Sequence, residues 1–123
     1  MKSLLIILAL GLSLPNFAQE IAPAINLNVA EFKEKMKVDT SAIILDVRTP
    51  EETALGIIEG ALELNVLDSL FTQQLQALDT TKTYLVYCRS GRRSLKACEI
   101  MIEQGFTHLF NLVGGYTAWI EEE

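Results

Sequence analysis

"TYLVYCRSGRRSLKACEIMIEQG", residues 83–105, passes from one kind of pattern to another within a few residues. "TYLVYC" (83–88) is a continuous apolar and aromatic run, the pattern of a strand buried on both faces. "RRSLKACEIMIEQG" (92–105) has helical spacing and stops at Gly105, in the usual place just past a helix end. A buried strand feeding a helix through a short loop is the repeating unit of a parallel sheet covered on both sides.

The same alternation extends in both directions. "AIILDV" (42–47) is a second short, β-branched apolar run. "TPEET" follows, with Thr49 as helix cap, Pro50 in the first helical position and glutamates at the positive end. "ALELNV" (61–66) alternates like a strand, and "LDSLFTQQLQAL" (67–78) repeats leucine and phenylalanine at helical spacing. "HLFNLV" (108–113) predicts a last strand, "GG" a turn and "YTAWIEEE" (116–123) a closing helix. Near the start, "NVAEFKEKMK" (28–37) places Val29, Phe32 and Met36 on one helical face, and Asn28 with Glu31 has capping-box spacing. The expected architecture is α/β.

Residues 1–18 stand apart. Lys2 precedes an uncharged leucine-rich run ending near Leu14, Pro15 breaks it, and Ala18 comes before Gln19–Glu20, which is the pattern of a secretory signal peptide. That run is shorter than the roughly 20 residues that cross a bilayer. The expected division is therefore a signal peptide at 1–18 and one domain at 19–123, in a periplasmic or secreted protein with no stable membrane insertion after cleavage. With a formal net charge of −6, the chain has no general attraction for nucleic acid or anionic membrane. One histidine and two separated cysteines form no metal-ligand cluster, and no organic cofactor motif is present.

Three of the four arginines nevertheless crowd around Cys88, at 89, 92 and 93. The cysteine ends its strand, on the edge where parallel sheets bind ligands, and Asp46 and Arg48 end another. A loop entering a helix N-terminus aims backbone N–H groups at one point, binds anions there and lowers a cysteine's pKa. Gly91 permits the sharp turn this needs. The expected product is an ionised, exposed sulfur, its charge held by the arginines. His108 begins a strand and is expected to be structural, so activation must come from the loop. Cys98 stands about 9 Å further along a helix starting near Arg92, beyond the roughly 7 Å limit between disulfide-linked Cα atoms. It is expected to be a small core residue.

Taken together, "AIILDVRTPEE" (42–52), "GIIEGALELNV" (56–66), "YLVYCRSGRRS" (84–94), "GF" (105–106) and "NLVGGYTAW" (111–119) resemble the rhodanese-like sulfurtransferase domains over essentially the whole segment after residue 18. The resemblance implies a five-stranded, mostly parallel sheet with helices on both faces. It also implies a Cys88 persulfide that carries sulfane sulfur from a donor such as thiosulfate to cyanide, a thiol or a protein acceptor. Arg89, Ser90, Gly91, Arg92 and Arg93 then supply the substrate cradle. Asp46 is expected to hold the neighbouring loop, and Arg48 to pair with an acid such as Glu52. Trp119 and Gly114–Gly115 match packing and turn positions. The family's frequent Gly-His-Ile-Pro-Gly-Ala is here Gly56-Ile57-Ile58-Glu59-Gly60-Ala61.

Three other functions share these features. Cysteine phosphatases and arsenate reductases place an arginine after five residues, whereas Arg93 follows Cys88 after only four. Binding or regulatory modules of the same fold commonly lack the cysteine, whereas Cys88 and its basic loop point to turnover or at least sulfur carriage. A periplasmic redox partner cycling between thiol and persulfide or sulfenate would need the same exposed sulfur.

Overall fold

The computed structural model describes residues 23–122, so the signal peptide expected at 1–18 lies outside the described residues. Five strands form one sheet: β1 (Ile25–Leu27), β2 (Ile43–Asp46), β3 (Leu62–Glu63), β4 (Tyr84–Tyr87) and β5 (Leu109–Leu112), in the order β1-β5-β4-β2-β3. Each neighbouring pair is parallel. Five helices accompany them: α1 (Val29–Val38), α2 (Pro50–Thr53), α3 (Phe71–Leu75), α4 (Arg92–Glu103) and α5 (Gly115–Glu121).

Side-chain alternation along β4 divides the core in two. Tyr84, Val86 and Cys88 pack with Phe71 and Leu75 of α3 and with Ala97, Cys98 and Met101 of α4. Leu85 and Tyr87 face the other way, onto Val29 and Phe32 of α1, Ile58 and the Tyr116–Trp119 side of α5. A strand sandwiched this way is apolar at every position, which is why β4 was legible as a continuous run.

Both expected helix starts carry full capping boxes. Asn28 Oδ1 accepts from Glu31 N–H at 2.8 Å while Glu31 returns to Asn28 N–H at 2.8 Å. Thr49 and Glu52 make the same reciprocal pair at the head of α2.

Two expected elements shrink. The strand at 61–66 pairs with β2 over Leu62–Glu63 only, at the sheet edge. The helix at 67–78 reduces to α3, because Asp68 takes over the backbone before it: its side chain accepts Leu70 N–H at 2.9 Å and its carbonyl accepts Phe71 N–H at 3.0 Å. Aspartate competes with a helix in this manner by offering the backbone a local turn. β1 was not anticipated, since "INL" is short, polar at its centre and half exposed.

Candidate functional site

β4 ends at Tyr87, and the next seven residues build a cup. Cys88 Sγ accepts the Gly91 N–H at 3.1 Å. Gly91 holds φ +107°, a left-handed conformation that turns the chain into α4 and that other residues adopt at a cost. No side chain caps α4. The sulfur occupies the position an N-cap oxygen normally fills, in front of the helix's unsatisfied amides.

Burial is the largest single influence on the Cys88 thiol and pushes its pKa up. The nearby Ser94 hydroxyl and the backbone N–H groups of Ser94, Gly91 and Ser90 outweigh it, so the thiol lies below its ordinary value. Cys98 shows the contrast: without such donors, burial raises it to about 12, and it stays a protonated core residue.

The structure corrects three expectations about this loop. The sulfur is not exposed: Cys88 is 1 % accessible and packs at the edge of the apolar cluster. The reason is its place in that cluster, and the Gly114–Gly115 turn packs on the backbone of the same loop. Tyr116 N–H donates to Cys88 O at 2.8 Å and Thr117 N–H to Arg89 O at 3.1 Å, closing the start of α5 over the loop. The amides do converge on the sulfur, but little of its surface is open. Nor do the arginines chiefly hold its charge. Arg93 is engaged by Glu52, Nη1 to Oε1 and Nη2 to Oε2, both at 2.8 Å. Arg89 and Arg92 are exposed and form no ion pair among the described residues.

The third correction concerns Arg48, which pairs not with Glu52 but with Asp46, two residues back. Its Nε and Nη2 reach both carboxylate oxygens, the closest contact being 2.7 Å, with both side chains buried. Nη2 also donates to Gly56 O at 2.8 Å. Tyr87 OH donates to Asp46 Oδ2 at 2.5 Å and accepts Ile58 N–H at 3.0 Å. Asp46 thus holds the 56–58 loop, as expected, but through Arg48 and Tyr87. The Arg48 guanidinium lies 4.2 Å from the Tyr116 ring centre, and Tyr116 in turn grips Cys88. One buried network therefore runs from the end of β2 to the cup.

Glu52, freed from Arg48, ties α2 to α4. The Arg93 hydrogen bonds are the chief reason its pKa falls from 4.5 to about 2. A depressed carboxylate stabilises the fold above its unfolded value and loses that contribution as pH drops through the folded one. This strap is therefore complete at neutral pH and released between 4.5 and about 2.

Sequence reasoning passed over Ser94. Its side chain is fully buried and its Oγ completes no hydrogen bond among the described residues. Helical side chains tilt toward the N-terminus, which from this position in the first turn of α4 aims Ser94 at the sulfur. It stabilises the anion from nearby without closing a bond in the resting state. The signal was available: Ser94 heads the buried stripe continued by Ala97, Cys98 and Met101, and a hydroxyl on an apolar face needs a purpose. Ser94→Ala should move the pH profile of Cys88 alkylation by iodoacetamide upward. Its thermal midpoint should be unchanged or higher, because an unpartnered buried hydroxyl is being removed.

Gly115 makes the closest approach to the loop. A Cβ built on it would fall 2.5 Å from Arg89 C and O and 2.6 Å from Cys88 O, and its φ is +59°. Gly115→Ala should cost about 3 kcal/mol from overpacking and backbone strain. It should also lower turnover on the order of 100-fold by displacing the cup, measurable by thermal melts alongside steady-state rates.

The family model of the Rhodanese-like domain matches residues 28–122. YtwF of Bacillus subtilis (strain 168) is 38 % identical over 93 residues, covering 76 % of this chain and 87 % of that one. A sulfurtransferase of Allochromatium vinosum is 39 % identical over 82 residues, covering 66 % and 75 %. Among solved structures, the human single-domain sulfurtransferase TSTD1 superposes with a TM-score of 0.66 at 28 % identity, over 83 % of this chain and 98 % of the other.

Proposed function

This chain belongs to the rhodanese-like domain family, and from that premise we propose that it is a sulfurtransferase using Cys88 as its sulfur carrier. The observation that carries this reading is the amide cup, with the Gly91 N–H on Cys88 Sγ at 3.1 Å. It stabilises a sulfur anion. With thiosulfate as donor, the Cys88 thiolate attacks the outer sulfur, forming the Sγ–S bond. The S–S bond of thiosulfate breaks, and its electron pair leaves on sulfite. The enzyme then holds a persulfide anion, and the amides and the Ser94 hydroxyl that steadied the thiolate are placed to steady its charge.

Thiosulfate is favoured because Arg89 and Arg92 remain uncommitted at the mouth and attract a small dianion. Arg93 is committed to Glu52, so its part is to hold the cup in shape. A phosphatase-like reading has less support, since Arg93 follows after four residues and is already occupied. Steady-state formation of thiocyanate from thiosulfate and cyanide tests the reading. Parallel double-reciprocal lines are expected from a carrier that is loaded and unloaded in turn. Intersecting lines, or no thiocyanate, would count against it. We also propose that residues 1–18 direct export, which the N-terminal sequence of protein recovered from its native compartment would test.

A further inference from the structure

The two edges of the sheet are built differently. β3 is two residues long and carries Glu63, the short, charged form that discourages another strand from adding. β1 is Ile25-Asn26-Leu27, without a charge, and no strand pairs with its outer side among the described residues. Val113 N–H donates to Leu27 O at 2.8 Å, so the backbone of Leu27, and of Ile25 two residues back, faces β5. Alternation along the strand then turns the Asn26 N–H and C=O outward. Asn28 is already spent on the α1 cap, its N–H on Glu31 Oε1 and its C=O on Phe32 N–H. Within β1, Asn26 alone offers backbone groups to a newcomer.

Side chains on both faces of the sheet mark the same point. On one face, buried Asn111 gives its Nδ2 to Asn26 Oδ1 at 3.0 Å, while its own Oδ1 has no partner among the described residues. That bond uses the Asn26 oxygen and leaves the Asn26 NH2 to donate across the edge. On the other face, Ile25 shares its side of β1 with Leu27 and is 54 % accessible. Leu27 and Phe110 line a groove of about 340 Å³ beside α1, where Val38 is 66 % accessible. Glu31, Glu34 and Lys35 line it too, and none of them forms an ion pair among the described residues. An uncharged edge, open aliphatic side chains and unpaired charges of both signs therefore lie together.

We propose that a second copy of this chain covers this edge, β1 pairing antiparallel with its counterpart about a two-fold axis at Asn26. That register makes two reciprocal hydrogen bonds, the N–H of each Asn26 to the C=O of the other. It sets Ile25 of one copy beside Leu27 of the second on the groove face. On the opposite face the two Asn26 side chains meet, and each Asn111–Asn26 pair becomes half of a four-membered row. The charges suit a partner identical to the chain itself: a two-fold lets Glu31 and Glu34 of one groove face Lys35 of the other, whereas a partner of one sign would repel part of the lining. Two five-stranded sheets become one of ten. The halves run in opposite directions, so the two Cys88 loops lie at opposite sides of the joined sheet and both stay open.

Sedimentation equilibrium of the purified protein over about 1–300 μM should show monomers and dimers exchanging with concentration, because one short strand pair and one groove make a small interface. Ile25→Lys puts a charge at the Ile25–Leu27 contact and should weaken the dimer at least about tenfold. Asn26→Pro removes the outward N–H while sparing the β1–β5 hydrogen bonds and should act the same way. Ile25→Lys, at an exposed position, should keep the native thermal midpoint and the native rate of sulfur transfer per chain. Register is read separately in Cys88→Ser protein, where the remaining Cys98 is buried. There Asn26→Cys should form a disulfide between copies on oxidation with copper phenanthroline, since facing Cα atoms lie about 5.5 Å apart. Ile25→Cys should link far less, because its counterpart lies diagonally across the axis. A monomer at every concentration overturns the proposal. So does a dimer that Ile25→Lys leaves equally tight, or one that links through Ile25→Cys as readily as through Asn26→Cys, since another surface or register would then be pairing.

Discussion

Cys88→Ser should abolish sulfur transfer, lowering turnover by at least about four orders of magnitude, as removal of a covalent nucleophile does. Every stage of the proposed reaction passes through one atom. The cup steadies an anion with the Gly91 N–H bonded to Sγ and the Ser90 and Ser94 groups nearby, which lowers the pKa of a thiol, a group whose unperturbed pKa is about 8.5. They cannot ionise an alcohol, and a serine oxygen cannot form the S–S bond that stores the sulfur. The fold should survive, because serine is nearly isosteric and its hydroxyl can accept the Gly91 N–H in the sulfur's place. Far-ultraviolet circular dichroism and a thermal melt on the same preparation separate the two effects. Lost transfer with an unchanged melt is expected; retained transfer would defeat the assignment.

Asp46→Ala should be the most destabilising single substitution near the site. Asp46 is fully buried, and its carboxylate receives the Arg48 backbone N–H at 3.0 Å, the Arg48 guanidinium and the Tyr87 hydroxyl. Its removal leaves Arg48, 4 % accessible, as an unpaired buried charge. Breaking such a pair from one side costs about 3–5 kcal/mol, a large share of the roughly 5–15 kcal/mol that holds a domain together. The melting temperature should drop by about 20 °C. Replacing both partners, Asp46→Leu with Arg48→Met, should recover part of the loss, because the stranded charge goes with its partner. If the single variant melts within a few degrees of the native protein, the network is not the support described.

Much of this architecture was legible because single residues announce it. Asn28 with Glu31, and Thr49 with Pro50 and Glu52, state where helices begin in terms of hydrogen bonds each residue must satisfy. β2, β4 and β5 were legible because strands inside a covered parallel sheet are apolar at nearly every position. Edge strands lack that constraint, so β1 escaped notice and β3 was drawn too long.

At the site, Cys88, Gly91 and the turn between them followed from the strand–loop–helix pattern. The ion pairs did not. Arg48 had two acids within reach in sequence and folds back on Asp46, because both lie at a buried strand end where a charge needs its nearest partner. Glu52 was thereby left for Arg93, forty-one positions away, a contact that only the parallel pairing of β2 with β4 brings about. The packing of the Gly114–Gly115 turn on the Cys88–Arg89 backbone was equally hidden, since it arrives from the far end of the chain.

The most direct test of the central claim is the intact mass of the protein after thiosulfate treatment and rapid desalting. The account predicts the mass of one added sulfur atom, absent from Cys88→Ser and removed when cyanide or a thiol is supplied. An unchanged mass while thiocyanate is still being formed would contradict it, because the sulfur would then pass between donor and acceptor without ever resting on Cys88.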